Sequence, residues 1–186
     1  MTYGKVSVLL PLAMAAAMLG GCREDLVWTH TAPLPTDAWT PERPVVFELD
    51  PEAYVPKSTN RFAEYTSKQL GDTVVRLRGT FEALLCLRYT RHANAAEVSV
   101  EAERVSLDAP FVTDTVTFRL FDAQGQPTGH GRLGIYEVTV PLPSPLRVTE
   151  GTTVNITPLP YTTPPSGLSS LSMLLRPFQN PGNRQQ

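Results

Sequence analysis

Cysteine and histidine are scarce in this chain, and long apolar runs are scarcer. Two cysteines and three histidines among 186 residues cannot build a disulfide framework, and no histidine has a second ligand at zinc-binding spacing. Lysine and arginine do not outnumber the acids, 16 against 18, so the basic footprint expected of a nucleic-acid binder is missing. No H-E-x-x-H, G-x-S-x-G or P-loop pattern occurs. Proline, in contrast, is abundant at 18 residues, nearly twice the usual ~5%. Because proline breaks helix interiors and central strands, a long helical bundle or coiled coil is excluded. What is left is a loop-rich β domain of one-domain length, with no metal, no cofactor and no catalytic residues assigned.

The one long apolar run lies at the start. Lys5 precedes an apolar stretch over residues 6–19, too short to span a bilayer, which needs about 20 residues. It ends in Leu19-Gly20-Gly21-Cys22. Small residues before a cut suit a signal peptide, and the cysteine directly after them resembles the lipobox of bacterial lipoproteins. That resemblance implies cleavage after Gly21, removal of residues 1–21, and a diacylglycerol on the Cys22 thiol. An ordinary signal peptide with a chance cysteine is the blander alternative. Removing residues 1–21 takes away Lys5 and no acid, so the formal charge moves from −2 to −3. Two or more acyl chains give stable attachment, which makes the chain tethered rather than spanning. Residues 23–25, Arg-Glu-Asp, resemble a short surface-export signal of Bacteroidota lipoproteins, or form a solvated polar linker. Residues 22–44 are assigned to a lipid-anchored N-terminal segment.

Period-2 alternation recurs through residues 45–176, as half-buried strands require. Val45, Phe47 and Leu49 alternate with Val46 and Glu48, and Val98, Val100 and Ala102 with Glu97, Ser99, Glu101 and Glu103. Val116, Phe118 and Leu120 repeat the pattern, as do Tyr136, Val138 and Val140, then Val154 and Ile156. Residues 73–78, 81–90 and 171–176 add further strands. Strands with one apolar face, separated by Pro/Gly-rich turns, predict an all-β antiparallel sandwich of about seven to eight strands, Ig-like or jelly-roll-like. Residues 60–70 predict one short surface helix, with Asn60 as cap and Gly71 as stop. The polar tail, residues 177–186, is expected to be disordered. Cys86, inside the apolar run Ala83-Leu84-Leu85-Cys86-Leu87, is expected to be a buried small hydrophobe.

Few residues offer chemistry. Gly129-His130-Gly131-Arg132-Leu133-Gly134 matches G-x-G-x-x-G, but an extended run follows it where a dinucleotide site needs a helix. The glycines are better explained by a bulge or a close chain crossing, and Asp122-Ala123-Gln124-Gly125 before them by a hairpin turn. No nucleotide is expected. His30, His92 and His130 are read as surface or loop residues. Glu97, Glu101 and Glu103 share the outer face of one strand and make no catalytic pair. Asp72-Thr73-Val74 and Asp114-Thr115-Val116 resemble the D-[S/T]-apolar O-glycosylation pattern of Bacteroidota envelope proteins, making Thr73 and Thr115 possible glycan acceptors.

Taken in order, the motifs resemble the gliding motility lipoprotein GldH family over nearly all of the mature chain. Cys22 leads to Trp28. Leu34-Pro35-Thr36-Asp37-Ala38-Trp39 before Pro44-Val45-Val46-Phe47-Glu48-Leu49 resembles the family's opening, and Leu85-Cys86-Leu87-Arg88-Tyr89 its central strand. Asp114-Thr115-Val116-Thr117-Phe118-Arg119-Leu120 and the Gly-rich return at residues 129–137 follow, and Pro165-Ser166-Gly167-Leu168-Ser169-Ser170-Leu171 closes the series. Residues 51–72 are an insertion relative to the family. The resemblance implies a non-enzymatic envelope protein held to a membrane through Cys22, in the outer membrane rather than the inner, periplasmic or surface-exposed. Its partners would be other envelope or gliding-associated proteins, met through strand edges or the insertion. The competing expectation is a surface glycan-binding lipoprotein with Trp28 and Trp39 stacking on sugar rings.

Overall fold

The computed structural model describes residues 26–49, 52–55, 73–77, 79–107 and 109–178. Twelve strands follow one another: β1 (Trp28–Pro33), β2 (Val45–Leu49), β3 (Glu52–Val55), β4 (Thr73–Arg76), β5 (Gly79–Thr90), β6 (Glu97–Ser106), β7 (Ala109–Arg119), β8 (His130–Arg132), β9 (Ile135–Pro141), β10 (Leu146–Val148), β11 (Thr152–Pro158) and β12 (Leu168–Pro177). One sheet has the order β1-β12-β5-β9-β8, with β10 also pairing with β5, and the other the order β2-β11-β6-β7. All pairings are antiparallel, and β3 and β4 form a separate hairpin. The protein is an all-β antiparallel sandwich. No helix occurs among the described residues, and the helix expected at residues 60–70 lies outside them.

Alternation decides which side chains meet between the sheets. Ala83, Leu85, Leu87 and Tyr89 of β5 and Leu171, Met173 and Leu175 of β12 face Phe47, Val98, Val100, Ala102, Phe118, Val154 and Ile156 of the second sheet in one core. Burying each large aliphatic or aromatic side chain stabilises the fold by about 1.5–3 kcal/mol before chain entropy is counted. The Tyr89 hydroxyl, from one sheet, donates to Leu120 O at the end of the other at 2.7 Å, and Tyr89 meets Phe121 edge-on at 5.7 Å.

The sandwich has more strands than periodicity suggested. β8 and β10 have three residues each, too few to show a period. β1 lies within residues 22–44, yet it pairs with β12 from Trp28↔Leu175 to Pro33↔Ser170. At the sheet edge each of its residues is half-buried or exposed, and its sequence, Trp-Thr-His-Thr-Ala-Pro, shows no clean alternation. The beginning of the polar tail is likewise ordered: Pro177 closes β12 opposite Phe81, and Phe178 N donates to Thr80 O at 3.3 Å. Residues 179–186 lie outside the described set. Cys86 is half-buried rather than buried, because β5 turns Leu85 and Leu87 inward and residue 86 to the outer face.

Candidate functional site

The G-x-G-x-x-G segment folds into the β8–β9 hairpin rather than the start of a helix. After β7, a tight turn is built on Asp122, whose Oδ1 accepts from Gln124 N at 2.9 Å and Gln126 N at 2.7 Å. The chain returns along the end of β7, with Thr128 N donating to Leu120 O at 3.0 Å. Gly129 N then donates to the Tyr89 hydroxyl at 3.2 Å. The hairpin β8–β9 pairs His130↔Glu137, Gly131↔Tyr136 and Arg132↔Ile135. Its two glycines are dictated by backbone proximity: a Cβ on Gly129 would lie 2.4 Å from Glu137 O, and one on Gly131 2.0 Å from Ile135 O.

The hairpin tip is Leu133-Gly134, with φ of 55° and 80°. Two positive φ angles in a two-residue loop make a type I′ turn, a site that favours Asn-Gly. Leucine there is strained by about 1–2 kcal/mol. Leu133 is also fully exposed, at 102% relative accessibility, so no packing within the described chain compensates it. Arg91 N donates to Gly134 O at 3.0 Å and fixes the turn against the end of β5.

Beside the tip, Arg88, His130, Gly131, Arg132, Ile135 and Glu137 line an open cleft of about 640 Å³ on the outer face of the sheet. Arg88 Nε and Nη2 donate to Glu137 Oε1 at 2.9 and 2.5 Å. The carboxylate is thereby tied to a guanidinium by charge-assisted hydrogen bonds that fix its position. Arg132 and His130 are exposed next to the apolar Leu133 and Ile135. Hydrogen-bond donors beside an apolar projection suit contact with a protein surface that offers carboxylates and a shallow apolar seat. Among the described residues no cluster of three or more His, Cys, Asp or Glu could hold a metal ion.

Other residues singled out from sequence lie elsewhere. Gly21 and Cys22, with residues 23–25, fall outside the described residues. Thr73 is the first residue of β4, opposite Val55. Thr115 is exposed on β7 opposite Glu101. His30 stacks on Trp28 at 5.9 Å and meets Phe47 edge-on at 6.0 Å. His92 is exposed just after β5. Glu97, Glu101 and Glu103 point outward along β6. Trp39 is buried, with Nε1 donating to Arg43 O at 2.9 Å, and so offers no face to a sugar ring.

One interior group had no place in that reading. Arg104 of β6 and Asp114 of β7 are both buried and joined by Nη2–Oδ2 at 2.7 Å. Arg104 Nη1 donates to Ser144 O and Pro145 O at 2.9 and 2.8 Å, and Ser144 Oγ donates to Asp114 Oδ1 at 2.9 Å. This network joins the four-stranded sheet to the β9–β10 turn of the other sheet. Asp114 of the Asp114-Thr115-Val116 pattern therefore has a structural task of its own. The signal was available: continuing the inward series Val98, Val100, Ala102 lands on Arg104, and running back from Phe118 and Val116 lands on Asp114.

No helix among the described residues is long and apolar enough to cross a membrane. No family model matches the chain, and no curated protein matches it. Among solved structures it is similar to that titled "Structure of Eiger TNF from S. frugiperda", at 11% identity over 84% of this chain and 97% of that one, with a TM-score of 0.34. That likeness is too distant to bear on function.

Proposed function

We propose that this chain is a lipid-anchored, non-enzymatic lipoprotein of a bacterial cell envelope, an accessory component that acts through protein contacts. Cys22 is its anchor, and the β8–β9 hairpin is its contact surface. The observation that carries the contact surface is Leu133, a fully exposed leucine held at φ 55° on the hairpin tip. A strained, apolar, solvent-facing residue is an expensive feature that a binding partner would repay by covering it. Ile135 and the Arg88–Glu137 pair extend the surface down the outer face of the sheet. The lipobox-like Leu19-Gly20-Gly21-Cys22 supports membrane attachment, and the ordered motifs resembling the GldH family support an envelope or gliding-associated assembly.

The test is gentle cross-linking of intact cells, followed by recovery of the chain from detergent-solubilised membranes. Wild type, Leu133→Asn and Cys22→Ala are compared. The expected result is a reproducible set of envelope proteins with wild type and loss of that set with Leu133→Asn. Loss of membrane association is expected with Cys22→Ala. Recovery of the same set with wild type and Leu133→Asn would remove the hairpin as the contact surface, and unchanged membrane association of Cys22→Ala would remove the anchor.

A further inference from the structure

Among the described residues, four of the five remaining large exposed apolar side chains share one end of the sandwich. Val46, Val105, Leu107, Phe111 and Phe178 are exposed; Val46 lies opposite Asn155 along β2, and main-chain pairing brings the other four to the end of the sandwich remote from Leu133. Phe178 N donates to Thr80 O, and Thr80 pairs with Arg147 while Gly79 pairs with Val148. The next residue, Thr149, meets Ser106 Oγ through its own hydroxyl at 2.5 Å. Leu107 follows Ser106 directly, and a Cβ on Gly151 would touch Leu107 Cδ1 at 3.6 Å. Ser106 pairs with Ala109, which puts Phe111 two residues into β7 from the same corner. Leu107 is 82% exposed and Phe111 62%.

The chain enters the sandwich at this same end. Val27 N donates to Leu175 O at 2.9 Å, Trp28 pairs with Leu175, and β1 runs from there toward the hairpin end. Leu26 is four residues from Cys22, a reach of at most about 14 Å even when fully extended. A lipid on Cys22 would therefore hold this end, and not the other, close to a bilayer surface.

We propose that the apolar fringe of Leu107, Phe111 and Phe178 rests in the interfacial region of the bilayer to which the chain is anchored. The sandwich then stands on its β6–β7 corner, at the end from which the chain also leaves, between Leu49 and Gly79, to form the β3–β4 hairpin, and points the β8–β9 hairpin outward. This rests on the lipid-anchor reading of Cys22. A short tether gives a high local concentration, so a contact too weak to bind free protein suffices. The fixed charges named around the fringe are mixed, with exposed Arg147 against exposed Glu48 and Glu150, so the contact is apolar rather than electrostatic and should not need anionic lipid. From Gly79 to Thr90 along β5 is eleven residue steps, roughly 36 Å at the strand rise. That distance places Leu133 clear of the headgroups.

The experiment uses the full lipidated chain, carrying Cys86→Ser, purified from membranes and reconstituted in phosphatidylethanolamine/phosphatidylglycerol vesicles. An environment-sensitive fluorophore is attached at Leu107→Cys, at Phe178→Cys, or at Leu133→Cys, and quenched by spin-labelled lipid. Circular dichroism confirms the fold of each variant. The expected result is roughly threefold stronger quenching at positions 107 and 178 than at 133, because an interfacial side chain sits within ~5–10 Å of the headgroup/acyl boundary. High salt should leave it unchanged. Co-flotation with vesicles but equally weak quenching at all three positions would overturn the seating while leaving the anchor intact. Failure to co-float would overturn the anchor and the seating together. Protection of position 107 that rises with protein concentration in lipid-free detergent would overturn it in favour of a second copy covering this end.

Discussion

Asp114→Ala removes a carboxylate from between the two sheets and leaves the Arg104 guanidinium there. In the native structure Arg104 Nη2 is held by Asp114, and Nη1 by the Ser144 and Pro145 carbonyls. Arg104 Nε is buried with no hydrogen-bond partner among the described atoms, so the cation has no surplus of acceptors to redistribute. Breaking a buried pair from one side costs about 3–5 kcal/mol. The two retained carbonyl contacts place the expected loss near the lower figure, about 3 kcal/mol. At roughly 2–4 °C per kcal/mol for a chain of this size, the melting temperature should fall by about 6–12 °C. Urea titration followed by the fluorescence of buried Trp39 measures this, with an unchanged m-value as the check that the denatured state is the same. The double variant Arg104→Met/Asp114→Ala should recover to within about 1 kcal/mol of wild type, since replacing both charges removes the uncompensated ion. A single-variant loss under about 1 kcal/mol, or a double variant no more stable than Asp114→Ala, would refute the claim that the two buried charges compensate each other.

Leu133→Asn should raise stability by about 1 kcal/mol, because asparagine tolerates positive φ where leucine is strained; a lower urea midpoint would contradict the strain. Tyr89→Phe should cost about 1–3 kcal/mol, since its hydroxyl serves both Leu120 O and Gly129 N. Faster hydrogen exchange at the Gly129 amide would show that this hydroxyl seats the hairpin, and unchanged exchange would show that it does not. Arg176 donates two hydrogen bonds to Glu82 and holds its carboxyl below the ordinary value of 4.5. The stability this pair adds is therefore complete above about pH 4.5 and is lost as pH falls through the lowered value. Solvent screening keeps it small. Glu82→Gln should thus be slightly less stable than wild type at pH 7, with the two curves converging in acid; a difference that grows in acid would reverse the assignment.

Legibility along this chain followed burial. A strand with one face in the core and the other outside it must alternate, wherever it sits in the sheet. β5, β6 and β11 accordingly declared themselves through Leu85-Cys86-Leu87, Val98-Ser99-Val100 and Val154-Asn155-Ile156. No residue of β1 is fully buried, so β1 looked like a leader to the domain although it forms six register pairs with β12. The β8–β9 hairpin was visible only as a motif to be rejected. Its glycines could be assigned to a close crossing, but the exposure and positive φ of Leu133 depend on how β8 folds back on β9.

By itself the sequence determined the period of the strands, the inward parity of the apolar residues, the turn at Asp122–Gly125 and the cysteine that resembles a lipid anchor site. These are local properties, set by neighbours a few positions apart. Only the tertiary structure decided which charges are paired and which apolar residues are gathered. Strand parity marks Arg104 and Asp114 as inward, but they are ten residues apart and Ser144 thirty further on, and nothing local records that one strand pairing and one inter-sheet crossing bring the three together. The same holds for Leu107, Phe111 and Phe178, which are ordinary in sequence. They come to one end of the sandwich because β7 and β11 begin there and β10 and β12 end there.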